Sequence, residues 1–439
     1  MESAGSALDR TGLQVDFYLL VLCAVYHADG LWGEATFDLY PRSLPEGGGY
    51  LVAAGIHEAV DAVRSMRFSE ADIEWLRGQR AFKDAGAGFW SSLEYFQFQG
   101  DIDAVPEGTI VFPDEPILRV TAPLFSATLA QTLLLQMVGH ATAVATRAAR
   151  MVDLAGERRC YEFGSRRMPG PESALLAARA AYVGGFYATS NALAAAELDI
   201  PAMGTLSKGF FAAYGADDRA LEAFSVHFPD VGFVNLPPGP AFEAVRRLEP
   251  YKKVLRIVRV DSDNLESEAR KVRQALNRLE MEEVLLLGSG SLDEAAIARL
   301  SRNNAPLDLL GVGKQLVRGL DGTSVVYRLS EIWRGTDPEP ALHEGAAKYP
   351  GRKQIMRFSD HDVLCLADEQ PEQELAGGRG LLTPLIERGE RLADVPHPST
   401  SRALCRAGLE ALPEGVRAWP CTKTWPLQLT DRLSALSLG

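Results

Sequence analysis

Between Val254 and Val317 the chain repeats one pattern, and that repeat constrains the fold more than any other feature. Three apolar runs, Val254 to Val260, Glu283 to Gly288 and Leu307 to Val312, are strand-length and rich in Val, Leu and Ile, with helical patterns between them. Such a β-α-β-α-β succession builds parallel strands into a barrel or a doubly wound sheet and puts ligands at the carboxyl ends of the strands. Those ends read Asp261-Ser262-Asp263-Asn264, Gly288-Ser289-Gly290-Ser291 and Gly311-Val312-Gly313-Lys314. Glycine turns ahead of a helix can point bare N–H groups at a phosphate. Any one of these loops alone reads as an ordinary connection. Three in register point to a phosphate or sugar-phosphate site, with Ser262, Ser289, Gly290, Gly311, Gly313 and Lys314 as its contacts.

With 439 residues, 46% hydrophobic and 23% charged, the chain can bury two cores. Its formal charge of -13 argues against a nucleic-acid partner, whose binding rests on Lys and Arg neutralising phosphates. The cysteines, Cys23, Cys160, Cys365, Cys405 and Cys421, lack metal-ligand spacing and are odd in number, so neither a zinc site nor a disulfide framework is expected. No run reaches the roughly 18 apolar residues of a membrane span, and Met1 to Gly5 lacks signal-peptide character. A cytoplasmic protein without membrane partners is the expectation.

Leu13 to Tyr26 is apolar at helical spacing, as in a buried helix carrying Tyr18. Phe37 to Tyr40 reads as a strand, and Pro45 to Tyr50, with three glycines, as a turn or a close backbone approach. Short helical segments follow to about Leu93. Phe96 to Val120 has the broken strands of a β-meander, and Ala122 to Leu154 reads as one or two buried helices in which His140 suits a core position. Tyr161 to Pro171 carries Arg166 and Arg167 to a strand end, where guanidinium groups suit phosphate or carboxylate. An alanine-rich helix, Ser173 to Gly185, and a cap at Ala188 to Asn191 lead to a strand-and-loop unit from Ile200 to Phe210. Further strands are expected over Ser324 to Glu331 and Lys353 to Arg357, a glycine-rich turn within Gly377 to Glu387, and a solvated acidic loop over Asp368 to Glu374.

The order Asp16-x-Tyr18, Pro45-x-Gly-Gly-Gly-Tyr50, Val105-Pro-Glu-Gly-Thr109, Glu162-Phe-Gly-x-Arg-Arg167, Gly184-Gly-Phe-x-x-Thr-Ser-Asn191, Gly204-Thr205, Arg259-x-Asp-Ser262, Gly311-Val-Gly313 and Pro350-Gly-Arg-Lys-Gln354 resembles that of the nicotinate phosphoribosyltransferases. The resemblance runs from about residue 13 to the carboxyl terminus. It implies a type II phosphoribosyltransferase: an irregular α/β barrel, here residues 122–339, and a smaller α/β domain from residues 1–121 and 340–439. It further implies a homodimer that joins nicotinate to 5-phosphoribosyl 1-pyrophosphate, with Mg2+ and ATP. By the same resemblance Tyr18 packs on the pyridine ring, Thr205 contacts it, Arg259 pairs with its carboxylate, and Arg166 and Arg167 hold phosphate.

Several chemistry-bearing positions depart from the family pattern. Lys208 stands where the family's phosphorylated histidine would be, and a fixed ammonium cannot supply a neutral imidazole, so ATP coupling of that kind is not expected. Asn235 to Pro238 replaces an Asp-Thr-Tyr-Asp run, Asp261-Ser-Asp-Asn-Leu265 replaces Asp-Ser-Gly-Asp-Leu, and Lys314 replaces a threonine of the phosphate loop. The expectation is a lysine-rich, carboxylate-poor pocket in which Lys208 and Asp261 stand at the catalytic positions, no metal ligand is assigned, and the use of Mg2+ is left open. Three functions stay open: formation of a pyridine mononucleotide, a different reaction on such a nucleotide, and binding without catalysis.

Overall fold

The parallel repeat is realised as one sheet. In the computed structural model, which describes residues 10–318, 325–369 and 377–438 apart from the side chains of Lys208 and Leu438, the chain forms two compact units, residues 144–319 and residues 1–143 with 320–439. The first holds strands β1 (Arg159–Glu162), β2 (Ala188–Thr189), β3 (Phe233–Asn235), β4 (Ile257–Asp261), β5 (Leu285–Gly290) and β6 (Leu309–Val312). They lie side by side in the order β2-β1-β6-β5-β4-β3, every pair parallel. From β3 to β6 the order follows the chain, and β6 then closes on β1. That is the cyclic order of a barrel, here a curled half-barrel sheet. A single bridge from Thr189 to Ala202 extends it beyond β2 and is all the strand that forms between Ile200 and Phe210.

Strands β4 and β5 begin later than their apolar runs. Val254 and Leu255 are spent closing a turn, each donating its N–H to the Tyr251 carbonyl, so pairing starts at Ile257. The connecting helices, Leu265–Arg278 and Glu294–Arg302, cover the sheet with one face each. The first buries Leu265, Ala269, Val272, Ala275 and Leu276, spaced at three and four residues. Each large apolar side chain so buried contributes about 1.5–3 kcal/mol.

The second unit interleaves the two ends of the chain. Strand Glu34–Pro41 lies antiparallel between Val325–Trp333 and Leu118–Pro123, and Asp101–Ala104 links the latter to Thr383–Glu387. The expected strand near Ser324 thus starts at Val325; Ser324 lies outside the described residues, as do residues 370–374 of the acidic run. Lys353–Arg357 pairs with Asp362–Leu366 in a separate four-stranded sheet.

Two expectations need correction here, the meander and the all-round burial of the helix that carries Tyr18. The stretch from Phe96 to Val120 is not a meander, because Ile110–Val111 leaves to pair with Leu51–Val52, a partner almost sixty positions away that local pattern cannot show. Ala122 to Leu154 forms a single helix, Leu124–Ala155, entered directly from a strand. The helix Phe17–Asp29 is capped by Asp16, whose carboxylate accepts the Tyr18 N–H at 2.9 Å, but it is not buried all round. Leu19, Leu20 and Cys23 face the core, while Tyr18, Leu22 and Val25 are 71%, 41% and 55% exposed. The glycine turn at Pro45 to Tyr50 is required by contact: a Cβ on Gly49 would overlap the Val416 carbonyl oxygen. Among the described residues no helix is long and apolar enough to cross a membrane.

One buried cluster in this unit titrates. The Arg357 guanidinium donates to Asp362 at 2.5 Å and lies 3.5 Å from Glu115, so one cation faces two carboxyl groups without solvent access. Burial, and then the Asp362 charge, push the Glu115 carboxyl well above its ordinary value of 4.5. Folding therefore favours protonated Glu115. Stability from this site is complete below pH 4.5 and is lost as pH rises through the folded value. Glu115→Gln, neutral at every pH, should gain on the parent by about 1.4 kcal/mol per pH unit climbed in that window. Urea unfolding over a pH series reads this, and parallel curves for the two proteins would contradict it.

Candidate active site

The carboxyl ends of β4 and β5 converge on one guanidinium. Arg259 and Asp261 are two residues apart on β4 and so share a face of the sheet, and Ser289 is the β5 register partner of Asp261. Arg259 Nε donates to Ser289 Oγ at 2.7 Å, Nη1 to Thr205 Oγ1 at 3.0 Å and Nη2 to Asp261 Oδ2 at 2.5 Å. One N–H on each nitrogen is thereby engaged. A second N–H on each terminal nitrogen has no partner among the described residues, which leaves two donors for an incoming anion. Burial pushes the Arg259 pKa below its ordinary value, Asp261 opposes the shift, and the positive charge of Arg166 adds to it. A desolvated cation that also feels a second cation is stabilised by an incoming anion.

Arg259 and Thr205 sit in the wall of a cavity of about 1150 Å³, with Arg166, Asn235, Asp261 and Ser262. That is roomy enough for a nucleotide-sized ligand. Its upper edge is held from both sides: Asn235 Nδ2 donates to the Leu206 carbonyl at 2.6 Å, and Met203 N–H to the Thr189 carbonyl at 2.8 Å. Thr205 is fixed between them. Ser207 then caps the helix Lys208–Tyr214, its hydroxyl accepting the Phe210 N–H at 3.1 Å. Lys208 is the first residue of that helix, and its side chain lies outside the described residues.

Arg166 and Arg167 occupy a single turn of 3-10 helix, Ser165–Arg167, directly after β1. Both are exposed, and Arg166 alone lines the cavity. The turn is built on a residue that heads the Glu162-Phe-Gly-x-Arg-Arg167 motif but to which the sequence assigned no role. Glu162, 1% exposed at the end of β1, accepts the backbone N–H groups of Gly164 and Ser165 and the hydroxyls of Ser165 and Thr189. Its place two residues before a glycine at a predicted strand end was the available signal.

The glycine loops behave differently from one another. Ser289 is 2% exposed and its hydroxyl is occupied by Arg259, so it orients the guanidinium instead of facing a phosphate. Gly290 lies beside the Ser262 carbonyl with φ of 140°, a backbone angle that suits glycine. At Gly311 a Cβ would overlap the Phe163 ring, so this glycine serves packing. Gly313 precedes the short helix Lys314–Val317, and neither it nor the exposed Lys314 lines the cavity. Among described side chains the charged wall is Arg166 and Arg259 with Asp217, Asp261 and Glu268, and no lysine. The expected lysine-rich, carboxylate-poor pocket is not what these residues form, because Lys314 sits on a helix that leaves the cavity.

Each of those carboxylates faces a cation. Asp261 is paired with Arg259, Glu268 with Lys271 at 2.7 Å and Asp217 with Arg247 at 3.6 Å. Among the described residues no three His, Cys, Asp or Glu side chains are grouped to hold a metal ion. Tyr18 belongs to the other compact unit, where its ring is exposed on the helix Phe17–Asp29.

A curled parallel sheet with a strand-end cavity, joined in one chain to a unit made from both termini, is the architecture of a type II phosphoribosyltransferase. The fold matches the crystal structure of human nicotinic acid phosphoribosyltransferase with a TM-score of 0.82 and 27% identity, covering 96% of this chain and 99% of that one. A nicotinate-nucleotide pyrophosphorylase from Pyrococcus furiosus, 23% identical, shares the fold with a TM-score of 0.77 over 94% of this chain and 98% of its own. Residues 13–139 match the nicotinate phosphoribosyltransferase N-terminal domain. A nicotinate phosphoribosyltransferase of Mycobacterium tuberculosis is 33% identical over 429 residues, which is 96% of this chain and 92% of the relative. One from Bacillus subtilis is 31% identical over 389 residues, 82% of this chain and 77% of its own. This chain belongs to the nicotinate phosphoribosyltransferase family of pentosyltransferases.

If Ser289 orients Arg259, Ser289→Ala should weaken binding of a pyridine carboxylate by about 1.5–3 kcal/mol, the worth of a hydrogen bond to a charged group. Calorimetric titration checks this, and an unchanged affinity would return Ser289 to a role in the β4–β5 packing alone.

Proposed function

We propose that the protein forms nicotinate mononucleotide from nicotinate and 5-phosphoribosyl 1-pyrophosphate, without phosphohistidine-type ATP coupling. The observation that carries this reading is Arg259, half-buried, fixed on three sides and keeping one N–H on each terminal nitrogen for a carboxylate. With the carboxylate so held and Thr205 beside it, the pyridine nitrogen is the atom left to react. Its lone pair forms the bond to the sugar C1 as the C1–O bond to pyrophosphate breaks, and the pyrophosphate leaves with that electron pair. Positive charge develops on the sugar in between, and the half-exposed Asp261 is the carboxylate nearest the anchor that can face it. Arg166 on the cavity wall supports holding the sugar phosphate or the departing pyrophosphate.

The absence of the family histidine at Lys208 supports ATP independence. Mg2+ has no evident protein ligand in this reading and would arrive with the pyrophosphate. The working assembly is a cytoplasmic homodimer. In its favour, Tyr18, Leu22 and Val25 form an exposed apolar stripe along one helix face that a second copy would cover, bringing Tyr18 into use. A second reading, cleavage or exchange of the glycosidic bond in a bound mononucleotide, is favoured by the pairing of every cavity carboxylate with a cation.

Incubation with nicotinate, 5-phosphoribosyl 1-pyrophosphate and Mg2+, with and without ATP and scored by mass, tests the proposal. Equal formation of nicotinate mononucleotide under both conditions is expected. No product, while the supplied mononucleotide is consumed, would overturn it in favour of the second reading, and product only with ATP would refute the assignment of Lys208.

A further inference from the structure

Burying a carboxyl group is costly unless both oxygens are hydrogen-bonded. Glu162 meets that condition with neutral donors: Oε1 accepts from the Gly164 N–H and, at 2.7 Å, the Ser165 N–H, and Oε2 accepts from Ser165 Oγ at 3.0 Å and Thr189 Oγ1 at 2.6 Å. Among the described residues it has no ion-pair partner. What it binds is therefore geometry: three of the four donors belong to the turn that follows β1, and the fourth to the end of β2. The main chain beside it is pinned to both neighbouring strands, with Phe163 N–H on the Val312 carbonyl at 2.8 Å and Ser190 N–H on the Glu162 carbonyl at 2.9 Å. Thr189 extends the junction, its hydroxyl accepting the Asn191 N–H at 3.0 Å and its carbonyl the Met203 N–H at 2.8 Å.

Arg166 needs such a support. Among the described residues neither its side chain nor that of Arg167 has a hydrogen-bond partner, and within the turn itself the Arg167 N–H to Gly164 carbonyl bond, 2.8 Å, is the closing contact. A guanidinium without partners is aimed only as well as its backbone is fixed. We propose that Glu162 is a positioning residue: its buried carboxyl group sets the 163–167 turn and ties it to the Thr189–Asn191 strand end, and so presents Arg166 to the cavity. The kinetic consequence rests on the reading of Arg166 as a contact to the sugar phosphate or pyrophosphate; the structural consequence does not.

Glutamine at this position can keep the arrangement. Its carbonyl oxygen suits the two N–H donors, and its NH2 can donate to the two hydroxyl oxygens, which accept as readily as they give. Alanine cannot. In the full-length protein, Glu162→Ala should speed amide exchange of residues 163–167 by about tenfold with little change elsewhere. It should raise KM for 5-phosphoribosyl 1-pyrophosphate by about tenfold and leave that for nicotinate within about twofold, while Glu162→Gln stays near the parent in both. Arg166→Ala should raise the same KM, and the Glu162→Ala/Arg166→Ala pair should add little beyond either alone. If Glu162→Ala does not fold, Ser165→Ala removes one of the four contacts, the hydroxyl donation to Oε2, and should move the turn and the donor KM in the same direction by less.

Unchanged exchange of the turn in whichever of these variants folds would overturn the proposal, as would an equal rise in both KM values or a Glu162→Gln protein as impaired as Glu162→Ala. A loosened turn with an unaltered donor KM in both Glu162→Ala and Arg166→Ala would uphold the positioning role and instead remove Arg166 from the sugar-phosphate site.

Discussion

A half-buried guanidinium held by three unlike partners is the constraint on which the rest of the site depends. Arg259 is drawn below its ordinary pKa by burial, yet its neighbours do not neutralise it fully: Ser289 and Thr205 are neutral, and Asp261 is more than half exposed. The local field therefore remains favourable to an anion. The partners also come from separate strand ends, so the arginine can be aimed only if β4 and β5 pair in register and the loop carrying Thr205 is held by Asn235 and Thr189. The sheet's close packing is thus converted into the orientation of one polar group.

The same economy explains why the strand-end loops do not act alike. Gly311 makes room for the Phe163 ring, and Phe163 in turn leads into the turn that bears Arg166. Ser289 and Glu162 are buried polar residues whose hydrogen bonds are spent on supporting others. Beside apolar residues such as Phe211, Leu236 and Pro237, the cavity receives a short set of charged and hydroxyl side chains, with its carboxylates already paired to cations. A ligand carrying two negatively charged ends fits such a wall better than a neutral one.

Much of this was legible in the sequence, and the limits have physical causes. The β4, β5 and β6 runs are rich in Val, Leu and Ile and so read as strand-length apolar stretches, which made the parallel sheet visible; the first residues of the β4 run read as strand, whereas a turn at Tyr251 consumes them. The pairing of Ile110–Val111 with Leu51–Val52, and the exposure of Tyr18, Leu22 and Val25, depend on partners distant in the chain, which periodicity cannot report. Arg259, Thr205 and Arg166 came from motif resemblance and are brought to one cavity, whereas the reading of Lys314 as part of a cationic pocket rested on residue type without direction. The supporting roles of Glu162 and Ser289 went unnoticed for a related reason: each acts through residues on another strand.

The proposed role of Arg259 as the carboxylate anchor underlies the other assignments in the site. The most direct test is calorimetric titration of nicotinate mononucleotide into the parent protein and into Arg259→Ala. Loss of about 2–5 kcal/mol of binding in the variant, the cost of leaving a buried charge contact unpaired, is the predicted result. Equal affinity in the two proteins would contradict it.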